Sequence, residues 1–421
     1  TSLPVPEPDP DAPEQEVRAR PAFSKDKQGF AEATRSNIAA FLKREDLSRI
    51  WLAYDEFLDQ IVWAPASHKE GRQQWQSFSD EHYIDVLMAA EREGFKTFGV
   101  DTLRASVLHA AKRMAMDSAK VWLSRKGWDG VPRVETFLKD RFGVDDTPYT
   151  RAVSRYIWTA HAGRIIHPGV QADMAPVYVG AQGSRKTTAI KAMSPADDFY
   201  CEINLKARDD DLSRKLRGKL VGELEELRGL NSRESEEIKA WVSRTHEEWV
   251  PKYREFGAKF ARRVLLHGSA NITGFLADPT GERRWLPMQV GVAGAIDPEG
   301  VAADRDQLWA EGAEIFRASG VDWQGAERLA KAEHIHFKVG DVWSDPVKRW
   351  MNEKDFASHM APIVGGFTTA DALSGVGVKI GQANAVSEMR MNRVLIGHGL
   401  HQSAEGLWRA EGTDHLPSWL Q

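Results

Sequence analysis

Pro176-Val177-Tyr178-Val179-Gly180-Ala181-Gln182-Gly183-Ser184-Arg185-Lys186-Thr187-Thr188 is the stretch on which the fold turns. Its first four residues form a short β-prone run, and the run ends in glycine. Gly180 to Thr187 then nearly fits the phosphate-loop pattern of glycine, four residues and Gly-Lys-Ser/Thr. Backbone N–H groups of such a loop wrap phosphates, and a helix starting at its end adds a positive pole. The expected nucleotide-binding set is Gly180, Gln182, Gly183, Ser184, Arg185, Lys186, Thr187 and Thr188. Lys186 would reach the β- and γ-phosphates of ATP, and Thr187 would ligate Mg²⁺. Arg185 departs from the pattern, which has glycine there. The competing reading is a surface strand-to-helix turn with a solvated lysine.

Two further segments bear on the same layer. Lys219-Leu220-Val221-Gly222-Glu223-Leu224-Glu225-Glu226 is either an apolar strand ending in carboxylates or part of an amphipathic helix. Leu212, Leu216, Leu220, Leu224 and Leu227 recur at helical spacing, while Gly218 and Gly222 weaken a helix by about 1 kcal/mol each. Val264-Leu265-Leu266 is a second apolar run, closing in His267-Gly268-Ser269-Ala270-Asn271. Short strands separated by helical stretches indicate an α/β layer.

Outward from this core, residues 29–127 read as a helical N-terminal domain, and Gly127 to Pro132 supplies turn chemistry for a boundary. The core domain is expected over 128–335. A small C-terminal domain, helical or winged-helix, is expected over 336–421. Residues 1–28 read as an acidic, proline-rich tail, the stub of something longer upstream. His334-x-His336 and His398-x-x-His401 have no acidic or cysteine partners at metal-site spacing and read as structural.

The chain has 421 residues, enough for about two or three domains. Its single cysteine, Cys201, excludes an internal disulfide and a cysteine-rich zinc cluster. No stretch approaches the roughly 20 apolar residues of a membrane span, and with a single cysteine and no secretory signal a reducing, cytoplasmic setting is expected. The formal net charge of -5 means that any nucleic acid must be held by local basic patches.

Taken in order, the pieces resemble the virulence-associated protein E family of phage and prophage replication proteins, whose ATPase core is similar to superfamily-three helicases within the AAA+ class. Trp128-Asp129-Gly130-Val131-Pro132-Arg133 is similar to the motif that opens the family's core. His167-Pro168-Gly169 with Asp173 precedes the loop as it does there. The acidic stretch around Glu223 and Glu226 resembles the family's acidic strand. Asp278-Pro279-Thr280-Gly281-Glu282-Arg283-Arg284-Trp285 resembles its distal arginine motif, and Arg305 to Glu311 its closing segment. Tyr54-Asp55-Glu56-Phe57 extends a weaker likeness toward the N-terminus.

The resemblance implies an α/β P-loop, AAA+-like core and favours a strand over Leu220 to Leu227. It implies that Glu223 holds the metal's water shell, and that Glu226, with Glu225 competing, orients the attacking water. Asn271 would sense the γ-phosphate, and Arg283 or Arg284 would serve as an arginine finger from a neighbouring subunit. A hairpin over Trp249 to Gly257 would grip DNA through Lys252, Tyr253 and Arg254, with Lys259 nearby. The implied protein is an ATP-hydrolysing DNA helicase or translocase, a homo-oligomer forming a hexameric ring on single-stranded or forked DNA in a bacterial host cell. Two alternatives stand beside it: a DNA-binding replication initiator or loader with a weakened ATP site, and a small-molecule kinase.

Overall fold

The computed structural model describes residues 19–68, 74–204, 207–224, 238, 240–249, 257–271, 282–337, 343–353, 361–403 and 406–410. Thirteen strands are described. β1 (Ile50–Asp55), β2 (Gln60–Pro65), β3 (Gln76–Ser77) and β4 (Ala115–Met116) form one sheet in the order β3-β2-β1-β4. The N-terminal domain, expected to be mostly helical, thus also carries a four-stranded sheet. Ile50-Trp51-Leu52 and Ile61-Val62-Trp63 are β-branched and aromatic runs that suit a pleated surface. Asp59, at φ +56°, lies in the turn between them. Helices Arg35–Leu42, Asp80–Arg92 and Val100–Arg113 bury Ile38, Phe41, Val86, Leu103 and Val107 in the same apolar cluster as β1.

β5 (Ala175–Val179), β6 (Tyr200–Ile203), β7 (Val221–Leu224), β10 (Leu265–Ala270) and β11 (Trp285–Gln289) make a five-stranded sheet in the order β11-β5-β10-β7-β6. Every pairing in it is parallel. Parallel strands are covered on both faces, so they read as continuous apolar runs. In β5 Tyr178 faces one cluster while Val177 and Val179 face the other.

The first face is covered by the helices Pro148–Ile166 and Lys186–Ala192, and helix Pro298–Ser319 packs on both of them. Pro148–Ile166 is buried around nearly its whole circumference. Helices Pro148–Ile166 and Pro298–Ser319 meet at glycine: a Cβ on Gly312 would lie 2.6 Å from the Trp158 carbonyl oxygen, and one on Gly163 2.6 Å from the Phe316 ring. The opposite face is covered by Leu212 and Leu216, of helix Asp209–Lys215 and its C-cap, and by Trp241 and Val242.

β8 (His246–Trp249) and β9 (Ala258–Ala261) form an antiparallel pair beside this sheet. The C-terminal part packs helices Ser344–Asn352, Thr369–Gly375 and Ala385–Gly397 against β12 (Leu400–Gln402) and β13 (Trp408–Ala410) around their own apolar cluster. Of the two histidine pairs, His334 donates to the Trp285 carbonyl at 2.8 Å, and His398 lies 3.0 Å from Ser344 Oγ. Both contacts are structural. Among the described residues no helix is long and apolar enough to cross a membrane.

Candidate functional site

β5 ends at Val179, and the glycine loop leads into the seven-residue helix Lys186–Ala192. The Gly180 N–H donates to the Ala270 carbonyl at 3.1 Å, fixing the loop's start to β10. Two loop residues adopt the left-handed conformation, Gly183 at φ +78° and Arg185 at φ +70°. Glycine takes that conformation freely, but for arginine it costs about 1 kcal/mol or more. The misfit read from the sequence is therefore also a conformational one.

Lys186 is buried, and its Nζ donates to the Gly180 and Ala181 carbonyls at 2.9 Å each and to Asn271 Oδ1 at 3.1 Å. Burial holds its pKa below the ordinary lysine value, with Glu223 opposing. Thr187 Oγ1 donates to Glu223 Oε1 at 2.9 Å, and the Tyr200 hydroxyl donates to Glu223 Oε2 at 2.7 Å. Glu223 is fully buried. Residues 182–188, with Ser269 and Asn271, line a cavity of about 430 Å³.

The sheet explains the convergence. Lys186 follows β5, Asn271 follows β10 and Glu223 lies on β7, three adjacent parallel strands. Their carboxyl ends share one edge, where ligands of open α/β sheets bind. The Thr187 hydroxyl and Glu223 carboxylate are hard oxygen donors. Mg²⁺ is ordinarily held by one or two such groups together with phosphates and water, so this pair fits it.

Arg283 and Arg284 lie elsewhere. They immediately precede β11, whose first residue, Trp285, pairs with Ala175 at the start of β5. They therefore sit at the opposite end of the sheet from Lys186, about 15 Å away along five residues of strand. Arg284 Nε donates to Ser243 Oγ at 2.6 Å, while Arg283 lies 3.7 Å from Glu327.

Lys259 lies on β9 and pairs with Glu248 at 3.2 Å. The candidate residues Glu225, Glu226, Lys252, Tyr253 and Arg254 lie outside the described residues. The pair that would carry the hairpin is firmly based: buried Glu247 binds buried Arg262 and accepts from Ser213 Oγ at 3.0 Å.

Three contributors were not foreseen from the sequence: Tyr200, Ser269 and Glu299. Tyr200 opens β6, beside β7, and only the pairing of those strands brings its hydroxyl to Glu223. Glu299 pairs with Arg185 across more than a hundred residues. No local signal marks either contact.

A parallel five-stranded sheet with this loop at its carboxyl edge defines a mixed α/β protein with a candidate anion site. The family model for the virulence-associated protein E-like domain matches residues 123–339, just over half of the chain, and the chain belongs to that family. The fold is similar to an apo structure of the NrS-1 C-terminal region, with a TM-score of 0.50, 12% identity, and coverage of 87% of this chain and 97% of that one. A second apo structure of that region matches with a TM-score of 0.48, 12% identity, and coverage of 89% and 98%. No curated protein matches the chain.

Proposed function

We propose that this protein is an ATP-hydrolysing DNA helicase or translocase acting in phage or prophage DNA replication. The observation that carries the reading is the meeting of Lys186, Thr187, Glu223 and Asn271 at the carboxyl ends of three neighbouring parallel strands. Membership of the virulence-associated protein E-like family supports a role in replication.

Phosphoryl transfer to water is chiefly positioning and charge stabilisation. Lys186 would exchange its carbonyl partners for the β- and γ-phosphates. Asn271, already bonded to the Lys186 ammonium, would report on the γ-phosphate. Thr187 and Glu223 would hold Mg²⁺, which supplies charge neutralisation at the phosphates. Tyr200 would keep the Glu223 carboxylate oriented. Glu226, or Glu225, would orient the attacking water. Arg283 or Arg284 of a neighbouring copy would complete the site, because neither can reach it within one chain. Lys252, Tyr253, Arg254 and Lys259 would contact DNA. A hexameric ring satisfies both requirements, as each site then borders a second copy.

The strained Arg185 favours one alternative, a DNA-binding initiator or loader whose ATP site is weakened. ATP turnover by purified protein, with and without single-stranded DNA, separates the two. The helicase reading expects DNA-stimulated turnover that Lys186→Ala abolishes while the fold is kept. Turnover by Lys186→Ala at the parental rate rejects the site; binding of DNA with no turnover by the parent selects the alternative.

A further inference from the structure

Arg185 lines the cavity beside Lys186, yet its guanidinium is turned to Glu299, in the first turn of helix Pro298–Ser319. Its neighbour Asp297 is otherwise occupied. One Asp297 oxygen accepts the Gly300 N–H at 2.9 Å, and the other binds Arg141 at 2.8 Å. Glu299 is thus the group left to hold Arg185. The position of Glu299 is fixed relative to the loop. Trp309 Nε1 donates to the Met193 carbonyl at 2.9 Å and Arg305 to the Ser194 carbonyl at 3.2 Å, tying helix Pro298–Ser319 to the end of the loop helix.

We propose that Arg185 is a second phosphate-binding cation of the loop, held in reserve by Glu299 until nucleotide arrives, so that the charge on Glu299 regulates the affinity of the site. This rests on the nucleotide reading above and adds its control. Both side chains of the pair are exposed, 49% for Arg185 and 72% for Glu299. Exposed pairs of this kind are weak, whereas a guanidinium binds phosphate oxygens in bidentate, charge-assisted fashion. A triphosphate therefore competes successfully with one carboxylate. The arginine also stands where glycine would be unstrained, and strain retained at a binding loop points to a use for the side chain. When Arg185 turns to phosphate, Glu299 loses its cation. Nucleotide state is thereby passed to the helix packed on the loop helix.

The test measures binding of a fluorescent ATP analogue with Mg²⁺ at low salt, in the full chain. Arg185→Gln removes the charge but keeps a side chain at the left-handed position, and Glu299→Gln removes only the holder. Glu299→Gln should bind about three- to tenfold tighter, and Arg185→Gln more weakly by a similar factor. In the Arg185→Gln background the Glu299→Gln gain should vanish. Unchanged or weaker binding by Glu299→Gln overturns the proposal. So does a gain that persists without Arg185, which would mark a general field effect of one fewer negative charge. A parental protein that binds no more analogue than Lys186→Ala overturns the nucleotide reading itself. Parental binding with an inert Glu299 overturns only the reserve role.

Discussion

Arg284 is half-buried and hydrogen-bonded at 2.6 Å to Ser243, while Arg283 exposes 61% of its side chain and faces Glu327 only at 3.7 Å. A residue that acts on another subunit's nucleotide must leave its own surface at little cost. Breaking the Arg284 contact strands a half-buried guanidinium; freeing Arg283 gives up an exposed pair of little worth. The adjacent arginines, indistinguishable in the sequence, thus separate by their partners. Arg283→Ala should retain ATP binding and lose at least about tenfold in turnover, the finger's role being transition-state charge. Mixing it with Lys186→Ala should restore part of the activity, since each copy supplies what the other lacks. Arg284→Ala should instead lower the unfolding midpoint and keep most of its turnover. A reversal of these two phenotypes assigns the finger to Arg284.

At the scale of elements, the loop strand and the Asn271 strand were legible because each is an apolar run closed by small residues. The acidic strand was not legible from periodicity. Its leucines at spacing four belong to different elements: Leu212 to a helix, Leu216 to its C-cap, Leu220 to the approach to β7, and Leu224 to the last residue of β7. β7 lies between β10 and β6 and is buried throughout, so it shows no alternation to read. β1 and β2, six residues each, were missed because the helical periodicity of the neighbouring segments outweighed the β-branched and aromatic residues of Ile50–Leu52 and Ile61–Trp63.

The same packing creates an acid sensitivity. His161, on helix Pro148–Ile166, and His267, on β10, meet Nε2 to Nε2 at 3.0 Å, with Tyr178 3.2 Å from His267 Nδ1. Burial drives the His267 pKa down to about 3, and burial, His267 and Arg164 push His161 well below the ordinary value. In the unfolded chain both take up protons near pH 6.5. Below that pH the unfolded state binds more protons than the folded one, so stability falls as pH falls toward the folded values. The loss is about 1.4 kcal/mol per histidine per pH unit once below pH 6. Denaturant titrations at pH 7.5 and pH 5 should show this decline, and His161→Gln should reduce its slope. A midpoint that does not change over that range contradicts a neutral, buried pair.

On the scale of the whole molecule, the N-terminal unit is clamped to two core elements, the approach to β10 and the β8–β9 pair. Arg263, at the approach to β10, forms a buried ion pair with Asp117, and its guanidinium lies 5.7 Å from the Phe57 ring centroid. Asp117 in turn caps helix Ser118–Ser124 by accepting the Lys120 N–H at 3.0 Å. Arg217 donates to the Glu56 carbonyl at 2.8 Å and stacks 3.7 Å over Phe260 of β9. One tie therefore holds the strand that ends at Asn271, and the other holds the base of the hairpin pair. Removing one partner of a buried pair leaves a desolvated charge, at a cost of about 3–5 kcal/mol, whereas replacing both by apolar groups is often close to neutral. Asp117→Ala should therefore lower the urea midpoint by an amount corresponding to about 3 kcal/mol, and Asp117→Leu with Arg263→Met should recover most of it. If the single variant is as stable as the parent, Arg263 is not the clamp, and Arg217 becomes the contact through which the N-terminal unit grips the core.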